Sequence, residues 1–149
     1  MDSILYTINK ATVTDIELHL NKCSIYFVPP LDSYIDIPSY SFKLQTYSET
    51  FEAWYNDELI SLIACYLNDH DSKIGFISNV STVKAYQGFG IAKKMIHDLF
   101  EHAIHKGFTS LTLEVNKDNR NAIGFYENLG FIKDYLKNDF QVMEKYLNK

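Results

Sequence analysis

The sequence predicts an α/β fold in which a mixed sheet of about seven strands packs against about four helices. The clearest indication is a strand, a glycine-containing loop, a periodic helix and a second strand in direct succession over residues 74–115. A strand–helix–strand unit of this length implies a right-handed crossover between parallel strands. Strand-like runs before and after this unit add antiparallel strands. Because 149 residues is the size of one ordinary domain, we expect residues 1–149 to form a single unit.

The N-terminal half contains three strand-like and two helical patterns. Residues 3–8 alternate loosely between apolar and polar side chains, and Thr14 suits the N-cap of a helix because acidic residues follow in the first turn. The turn signal Asn56-Asp57-Glu58 separates two strand-like runs, of which the second is apolar enough for a central strand. The predicted elements are a strand at 3–8, a helix at 12–23, a short helix from Pro38 to residues 44–47, and strands at 50–55 and 59–67.

The central unit begins with a strand at residues 74–83. Apolar residues then recur at helical spacing between residues 91 and 104, with lysines, acidic residues and histidines on the other face. We therefore predict a helix over residues 90–106, with Gly107 as its left-handed C-terminal cap. The alternation at residues 109–115 predicts the strand that pairs in parallel with the first.

The C-terminal part predicts one more helix and two strands. Asp118 or Asn119 can cap a helix at residues 120–129, which Gly130 ends. The side chains that share its apolar face are Ile123, Tyr126 and Leu129. Two strands follow, at residues 131–136 and 140–146.

The composition excludes several classes of protein. A net charge of -5 disfavours partners such as nucleic acids and anionic membranes, although it suits an amine-bearing substrate. Cys23 and Cys65 lack metal-site or redox spacing, so buried free thiols are expected. No basic-then-apolar leader and no apolar run of 18 residues are present, so we expect a cytoplasmic protein.

The loop Gln87-Gly88-Phe89-Gly90-Ile91-Ala92 predicts an anion site. It lies between a strand and a helix N-terminus, whose first N–H groups have no partner inside the helix and carry partial positive charge. Lys84, Lys93 and Lys94 add local positive charge. The spacing fits neither a Walker A loop nor the dinucleotide fingerprint, and a kinase loop does not lead into a helix. What it does fit is Q-x-x-G-x-A, which taken alone is also typical of an ordinary glycine turn before a helix.

A second segment, downstream of the loop, indicates what the loop binds. Residues 113–131 read L-E-V-N-K-D-N-R-N-A-I-G-F-Y-E-N-L-G-F and contain the pattern N-x-x-A-x-x-[LF]-Y-x-x-x-G-F. Together with the Q-x-x-G-x-A loop upstream, this segment resembles the GNAT superfamily of acyl-CoA-dependent N-acyltransferases. The order of elements along the whole chain also agrees with that family, whereas the N-terminal half is its variable, substrate-facing part.

The resemblance implies a binding mode for acetyl-CoA. The pyrophosphate is expected on the backbone of the glycine loop, which consists of Gln87, Gly88, Phe89, Gly90, Ile91 and Ala92. The pantetheine arm is expected to pair with the end of the preceding strand, at Val80, Ser81, Thr82 and Val83, because the fourth and fifth strands of the family splay apart there. Asn119 is expected to contact the CoA arm.

The resemblance also implies the catalytic groups. The backbone N–H near Val80 would stabilise the oxyanion of a tetrahedral intermediate, and Tyr126 would donate a proton to the departing thiolate. From its helix alone, Tyr126 is equally well explained as a core tyrosine. Many family members carry a glutamate on the strand before the loop, but this strand offers only Ser78, Asn79, Ser81 and Thr82. Ordered water or Glu114 is left as the base, although Glu114 is also explained by a structural role.

Other polar residues suggest weaker hypotheses. Asp32 and Asp36 follow two prolines and can bind an ammonium group or remain solvated. The histidines on the exposed face of the central helix lack the spacing of a zinc site, so no metal is expected. These histidines are His97, His102 and His105.

We therefore expect an N-acetyltransferase that moves an acetyl group from acetyl-CoA to a primary amine of a small metabolite, such as an amino sugar, an amino acid or a polyamine. The alternatives are a protein or peptide acceptor, a longer acyl chain, and a catalytically silent CoA-binding domain. A nucleotide-binding switch is disfavoured by the loop spacing. A homodimer is possible, since the last strand, ending near Tyr146, can pair with a second subunit.

Overall fold

Strand alternation and helix periodicity produce the predicted elements in the predicted order. The computed structural model describes residues 3–147. Within this range, seven strands form one mixed sheet in the order β1-β2-β3-β4-β5-β7-β6, with four α-helices, which confirms the predicted fold class. The elements are β1 (Leu5–Ile8), α1 (Val13–Cys23), α2 (Ile37–Tyr47), β2 (Glu49–Tyr55), β3 (Glu58–Tyr66), β4 (Ile74–Thr82), α3 (Ile91–His105), β5 (Ser110–Asn116), α4 (Arg120–Asn128), β6 (Ile132–Lys137) and β7 (Phe140–Tyr146).

The central strands β4 and β5 are paired only near their amino-terminal ends. Their parallel pairing runs from Ile74 with Ser110 to Ile77 with Leu113. Because β4 continues to Thr82 beyond the last pair, a gap opens toward the carboxyl ends of both strands. This gap confirms the predicted splay between the fourth and fifth strands, and it lies at the sheet edge where α/β proteins bind ligands.

A hydrophobic core lies on each face of the sheet. Residues of α3 and α4 pack against one face, and α1 and α2 cover the other with Ile16, Leu20 and Leu44. Neighbouring residues of a strand face opposite sides, so Ile63 of β3 lies in the first core and Leu62 in the second. No helix within residues 3–147 is long and apolar enough to cross a membrane.

The predicted cap of α1 is wrong by two residues. Thr12, not Thr14, is the N-cap: its hydroxyl accepts a hydrogen bond from the N–H of Asp15, whose carboxylate accepts one from the N–H of Thr12. Both threonines have an acidic residue three positions later, so local sequence does not decide between them. The buried carboxylate of Glu52 on β2 binds the N–H groups of the two residues before Thr12 and thereby places the helix start.

The last strand does not offer a free edge for a second subunit, which corrects the predicted route to a homodimer. β7 pairs with β5 on one side and with β6 on the other. Its backbone groups are therefore used within the sheet, and the edges of the sheet are β1 and β6.

Candidate active site

A cleft of about 220 Å³ opens where β4 and β5 separate. Its walls are the carboxyl-terminal halves of these strands, the first turns of α4, and the connection between α1 and α2. The predicted site residues that line it are Val80, Ser81, Thr82, Gln87, Asn119 and Tyr126. Val83 and the loop residues after Gln87, which are Gly88, Phe89, Gly90, Ile91 and Ala92, do not line it.

A β-bulge in β4 shapes the wall that faces α1 and α2. Asn79 pairs with Ala64, and Ile77 pairs with the next residue of β3, so Ser78 has no partner on that strand. The extra residue turns the side chains of Ser78 and Asn79 to the same face. On α2, the hydroxyl of Tyr40 donates to the Ser78 carbonyl at 3.0 Å and lies 2.7 Å from its Oγ.

The backbone N–H of Val80 faces the open gap. The N–H of Val83 donates to the carbonyl of Ile60 at 2.8 Å, and N–H groups of an antiparallel strand alternate between its two sides. Ser81 therefore turns its N–H toward β3, whereas Val80 and Thr82 turn theirs toward the side that β5 has left. Two backbone N–H groups thus face the gap, where the resemblance leads us to expect the pantetheine arm and the oxyanion.

Within residues 3–147, the loop N–H groups from Gly88 to Gly90 have no hydrogen-bond partner. Gly88 and Gly90 have φ values of 87° and 78°, which L side chains rarely adopt. Gly90 is the N-cap of α3 and has no side chain to satisfy the first N–H groups of that helix. The N–H of Gln87 is already used by the carbonyl of Lys84 at 3.3 Å, so the free amides of the loop begin at Gly88.

The polar side chains around the loop have partners within the protein. Gln87 donates from Nε2 to the carbonyl of Thr82 at 3.0 Å. The Lys84 ammonium lies 5.5 Å from the centre of the Tyr26 ring, which places a cation–π contact at the mouth of the cleft. Lys94 pairs with Asp98 and therefore points away from the loop. Lys93 is exposed and adds its charge to the partial positive charge of the helix N-terminus.

Tyr126 reaches the cleft from α4. Its half-buried ring makes edge contacts with Phe125 and Phe131, at centroid distances of 5.3 and 5.6 Å. Its hydroxyl has no hydrogen-bond partner within residues 3–147, and burial raises its pKa. A tyrosine held by rings on its sides and left unpaired at its tip is suited to proton donation rather than to core packing alone.

Asn119 lines the cleft and also caps α4. Its Oδ1 accepts a hydrogen bond from the N–H of Ala122 at 3.2 Å. This settles which of the two proposed caps is used. The capping bond leaves the amide N–H groups of Asn119 to face a ligand.

The acceptor side of the cleft combines aromatic rings with one acidic side chain. Glu114 is the single carboxylate among the described lining residues, and Lys137 lies 3.3 Å from its Oε2. Asp32 and Asp36 do not line the cleft; Asp36 instead caps α2 by accepting from the N–H of Ser39. The aromatic lining residues are Tyr26, Phe27, Tyr34, Tyr126 and Phe140.

Sequence reasoning missed a buried histidine beside the cleft. His19 of α1 contacts the carbonyl of Leu59 and the hydroxyl of Ser81, each at 2.9 Å, and burial lowers its pKa to about 4. Cys23 lies 3.7 Å from the same ring, and burial raises the pKa of its thiol to about 11. Both pKa shifts favour the neutral forms of the imidazole and the thiol, so the pair is not an activated nucleophile. The missed signal was helical spacing, since Ile16, His19, Leu20 and Cys23 form one face.

The other predicted features are structural. Cys23 and Cys65 are buried free thiols, as expected. His102 pairs with Glu49 at 2.7 Å and so joins α3 to β2. Within residues 3–147, no group of three histidine, cysteine or acidic residues is placed to hold a metal ion.

Known proteins resemble this chain in sequence over half of its length or more. The model of the Acetyltransferase (GNAT) family matches residues 15–131. N-alpha-acetyltransferase 30 from Schizosaccharomyces pombe is 34% identical over 86 residues, which are 56% of this chain and 57% of that protein. The chain spans about half the length of the curated relatives it matches.

Solved structures resemble the chain over nearly its whole length. The PaiA N-acetyltransferase from Thermoplasma acidophilum, in complex with coenzyme A, has a TM-score of 0.73 at 16% identity and covers 95% of this chain and 99% of its own. The NatC complex bound to Gag peptide and CoA gives 0.72 at 21% identity, covering 98% and 99%. At these identities the likeness is one of fold. Because the family match spans most of the chain and the fold agrees with it, this chain belongs to the GNAT family of acetyltransferases.

Proposed function

We propose that this protein transfers the acetyl group of acetyl-CoA to the α-amine of a peptide, with the N-terminus of a protein as the natural acceptor. The observation that carries the proposal is the composition of the cleft wall. Among the described residues that line it, one is a carboxylate, none is a lysine or arginine, and five are aromatic. A peptide N-terminus has one amine followed by an uncharged backbone, which matches one acidic group in an aromatic wall.

Small polycationic acceptors fit this wall less well. A polyamine or a multiply aminated sugar gains affinity from several carboxylates, because each ammonium group taken out of water needs a charged partner. Among the lining residues that the structure describes, only Glu114 can serve in this way. The small-metabolite acceptor favoured by sequence alone is therefore not supported, and relatives named N-alpha-acetyltransferase favour the peptide alternative.

Residues of this chain can bind acetyl-CoA and assist the transfer of its acetyl group from sulfur to nitrogen. The N–H groups that begin at Gly88 hold the pyrophosphate, and the gap-facing backbone of Thr82 on β4 pairs with the pantetheine arm. Val80 donates its N–H to the thioester oxygen while the amine nitrogen bonds to the acetyl carbon. As the carbon–sulfur bond breaks, Tyr126 protonates the departing thiolate.

Glu114 is the proposed destination of the proton that the amine loses. It is the acidic group of the cleft, and it is partly exposed, so an ordered water can connect it to the nitrogen. Lys137 Nζ lies 3.3 Å from its Oε2. This role replaces the strand glutamate that many family members carry and this chain lacks.

The proposal is tested by thiol release from acetyl-CoA with a panel of acceptors. We expect release with peptides that have a free N-terminus and none with the same peptides blocked at the N-terminus. Mass spectrometry of the product identifies the acetylated nitrogen. Release only with polyamines, amino acids or amino sugars would contradict a peptide acceptor. Binding of acetyl-CoA without release by any amine would instead identify a silent binding domain.

A further inference from the structure

Ser78 lies at the point where β4 leaves β5, and it has a paired residue on neither neighbouring strand. On the side of β3, the pairing passes from Asn79 directly to Ile77 and skips Ser78. On the side of β5, the pairs end at Ile77. The strand register therefore leaves Ser78 without a partner residue, although it lies in the wall of the cleft.

A tyrosine of α2 holds Ser78 where strand pairing does not. The Tyr40 hydroxyl donates to the Ser78 carbonyl at 3.0 Å, and its oxygen lies 2.7 Å from Ser78 Oγ. Because a carbonyl can only accept, the Tyr40 proton goes there and the Ser78 hydroxyl donates its own proton to Tyr40. Burial raises the pKa of Tyr40 to about 12, so its hydroxyl remains a donor at neutral pH. The two hydrogen bonds together fix the backbone and the side chain of Ser78.

The bend at Ser78 separates two parts of β4 that are held differently. Before the bend, Ile77 pairs with strands on both sides. After it, β4 pairs with β3 alone, and its other side borders the gap. A bulge bends the strand that contains it, so this bulge sets how the Val80 N–H stands relative to β5. Tyr40 is the side chain that fixes the bulge.

We propose that Tyr40 is a positioning residue for acetyl transfer, which acts through the bulge at Ser78 to place the Val80 N–H. Under the proposed function, this N–H donates to the oxyanion, and such a donor is effective when it is in place before the charge develops. Tyr40 itself does not line the cleft. It lies on α2, directly after the connection that supplies aromatic residues of the cleft wall. This inference rests on the proposed function and deepens the account of the same site.

The first test is Tyr40→Phe, which keeps the buried ring and removes both hydrogen bonds. We expect kcat with a peptide acceptor to fall at least about tenfold, since deleting an oxyanion donor costs about 10²–10³-fold and here the donor is displaced. The Kd of acetyl-CoA should change much less than kcat, because the glycine loop and Thr82 are untouched. A merely structural hydroxyl would lower the melting temperature and leave kcat per folded molecule unchanged.

Tyr66→Phe is the matched control for this variant. Tyr40 and Tyr66 pack against the same hydrophobic core, and Tyr66 does not line the cleft. We expect the control to keep kcat. A folded Tyr40→Phe protein with wild-type kcat would overturn the inference. So would a Tyr40→Phe protein that does not fold even with acetyl-CoA bound, because the hydroxyl would then serve folding.

Ser78→Ala separates the two hydrogen bonds. It removes the bond between the hydroxyls and keeps the one from Tyr40 to the Ser78 carbonyl. Since the backbone stays anchored, kcat should fall less than in Tyr40→Phe. An equal or greater loss would mean that the Ser78 hydroxyl acts by itself, and it would overturn the role given to Tyr40.

Hydrogen exchange tests the anchor without an acceptor. In the absence of ligand, the amides of residues 77–80 should exchange faster in Tyr40→Phe than in the wild type, and Tyr66→Phe should not show this change. Unchanged exchange in Tyr40→Phe would overturn the inference. If the wild type acetylates no peptide, the proposed function fails, and exchange still decides whether Tyr40 anchors β4. If peptides are acetylated and Tyr40→Phe keeps kcat, only this inference fails.

Discussion

The surroundings of Tyr126 support its proposed role as a proton donor. Burial raises its pKa, so the hydroxyl stays protonated throughout the neutral range, which is the form that a proton donor needs. Phe125 and Phe131 hold the ring by edge contacts, so the side chain loses little freedom when a thiolate forms beside it. The hydroxyl supports no other part of the described structure. The effects of removing this hydroxyl on stability and on kcat can therefore be measured separately.

We expect Tyr126→Phe to lower kcat by about 10²–10⁴-fold, the usual contribution of a positioned acid. The Kd of acetyl-CoA and the melting temperature should change little, because the lost hydroxyl has no partner within residues 3–147. Steady-state kinetics and calorimetric titration measure the three quantities. Tyr135→Phe, at an exposed position of β6, is the control and should behave as wild type. A variant that keeps its kcat would exclude Tyr126 as the donor, and a variant that loses acetyl-CoA binding would make it a binding residue.

At the scale of elements, α3 begins and ends on glycines with the same backbone geometry but different surroundings. Gly90 at its N-terminus has a φ of 78°, and Gly107 just beyond its C-terminus has a φ of 88°. An added Cβ would meet no atom within 4 Å at either position. The strain of a side chain is thus equal at the two ends, whereas only the N-terminal end borders the anion site.

We expect Gly90→Ala and Gly107→Ala to destabilise the protein by a similar amount, about 1 kcal/mol each, because both place an L residue in the left-handed region. Only Gly90→Ala should also weaken acetyl-CoA binding, since its methyl group holds the pyrophosphate away from the loop amides. Thermal unfolding and calorimetric titration of the pair separate the two effects. Equal affinities for acetyl-CoA in both variants would show that the pyrophosphate does not lie on this loop.

At the scale of the whole molecule, the sequence predicts the parts of the fold that depend on local pattern. The strand, glycine loop and helix from Ile74 to His105 are encoded by residues that are neighbours in the chain, and so are the caps Asn119 and Gly107. The helix α1 lies where the sequence predicts it, but its N-cap was misassigned because a distant carboxylate, Glu52, binds the residues before it. Local pattern therefore predicted the elements around the cleft but not every cap.

The wall of the cleft that faces α1 and α2 could not be predicted from local sequence, because its contacts join residues that are far apart in the chain. The contact between His19 and Ser81 joins residues 62 apart, and the one between Tyr40 and Ser78 joins residues 38 apart. Such pairs form only when α1 and α2 pack on β4, and the bulge that turns Asn79 toward them has no short sequence signal. A polar residue on a buried helical face, as at His19, is the one hint that the chain itself contained.

If acetyl-CoA binds in the gap of the sheet as proposed, the stability of the protein depends on this co-substrate. Four residue pairs join β4 to β5, and residues of both strands belong to the hydrophobic core that α3 and α4 cover. A ligand that pairs with the free edge of β4 and binds the loop amides adds contacts on both sides of the gap, and it does so only in the folded state. Binding and unfolding are therefore linked.

We expect acetyl-CoA at a hundred times its Kd to stabilise the protein by about 2.7 kcal/mol. For a chain of this length, that corresponds to a rise of about 5–10 °C in melting temperature. Hydrogen exchange of the Val80 and Thr82 amides should slow at the same time, since both N–H groups face the gap. ATP and NAD, tested at equal concentration, carry linked phosphates without a pantetheine arm and should give a much smaller rise. An equal rise with ATP would place the ligand on the glycine loop alone, and fast exchange at Val80 in the presence of acetyl-CoA would contradict pairing along β4.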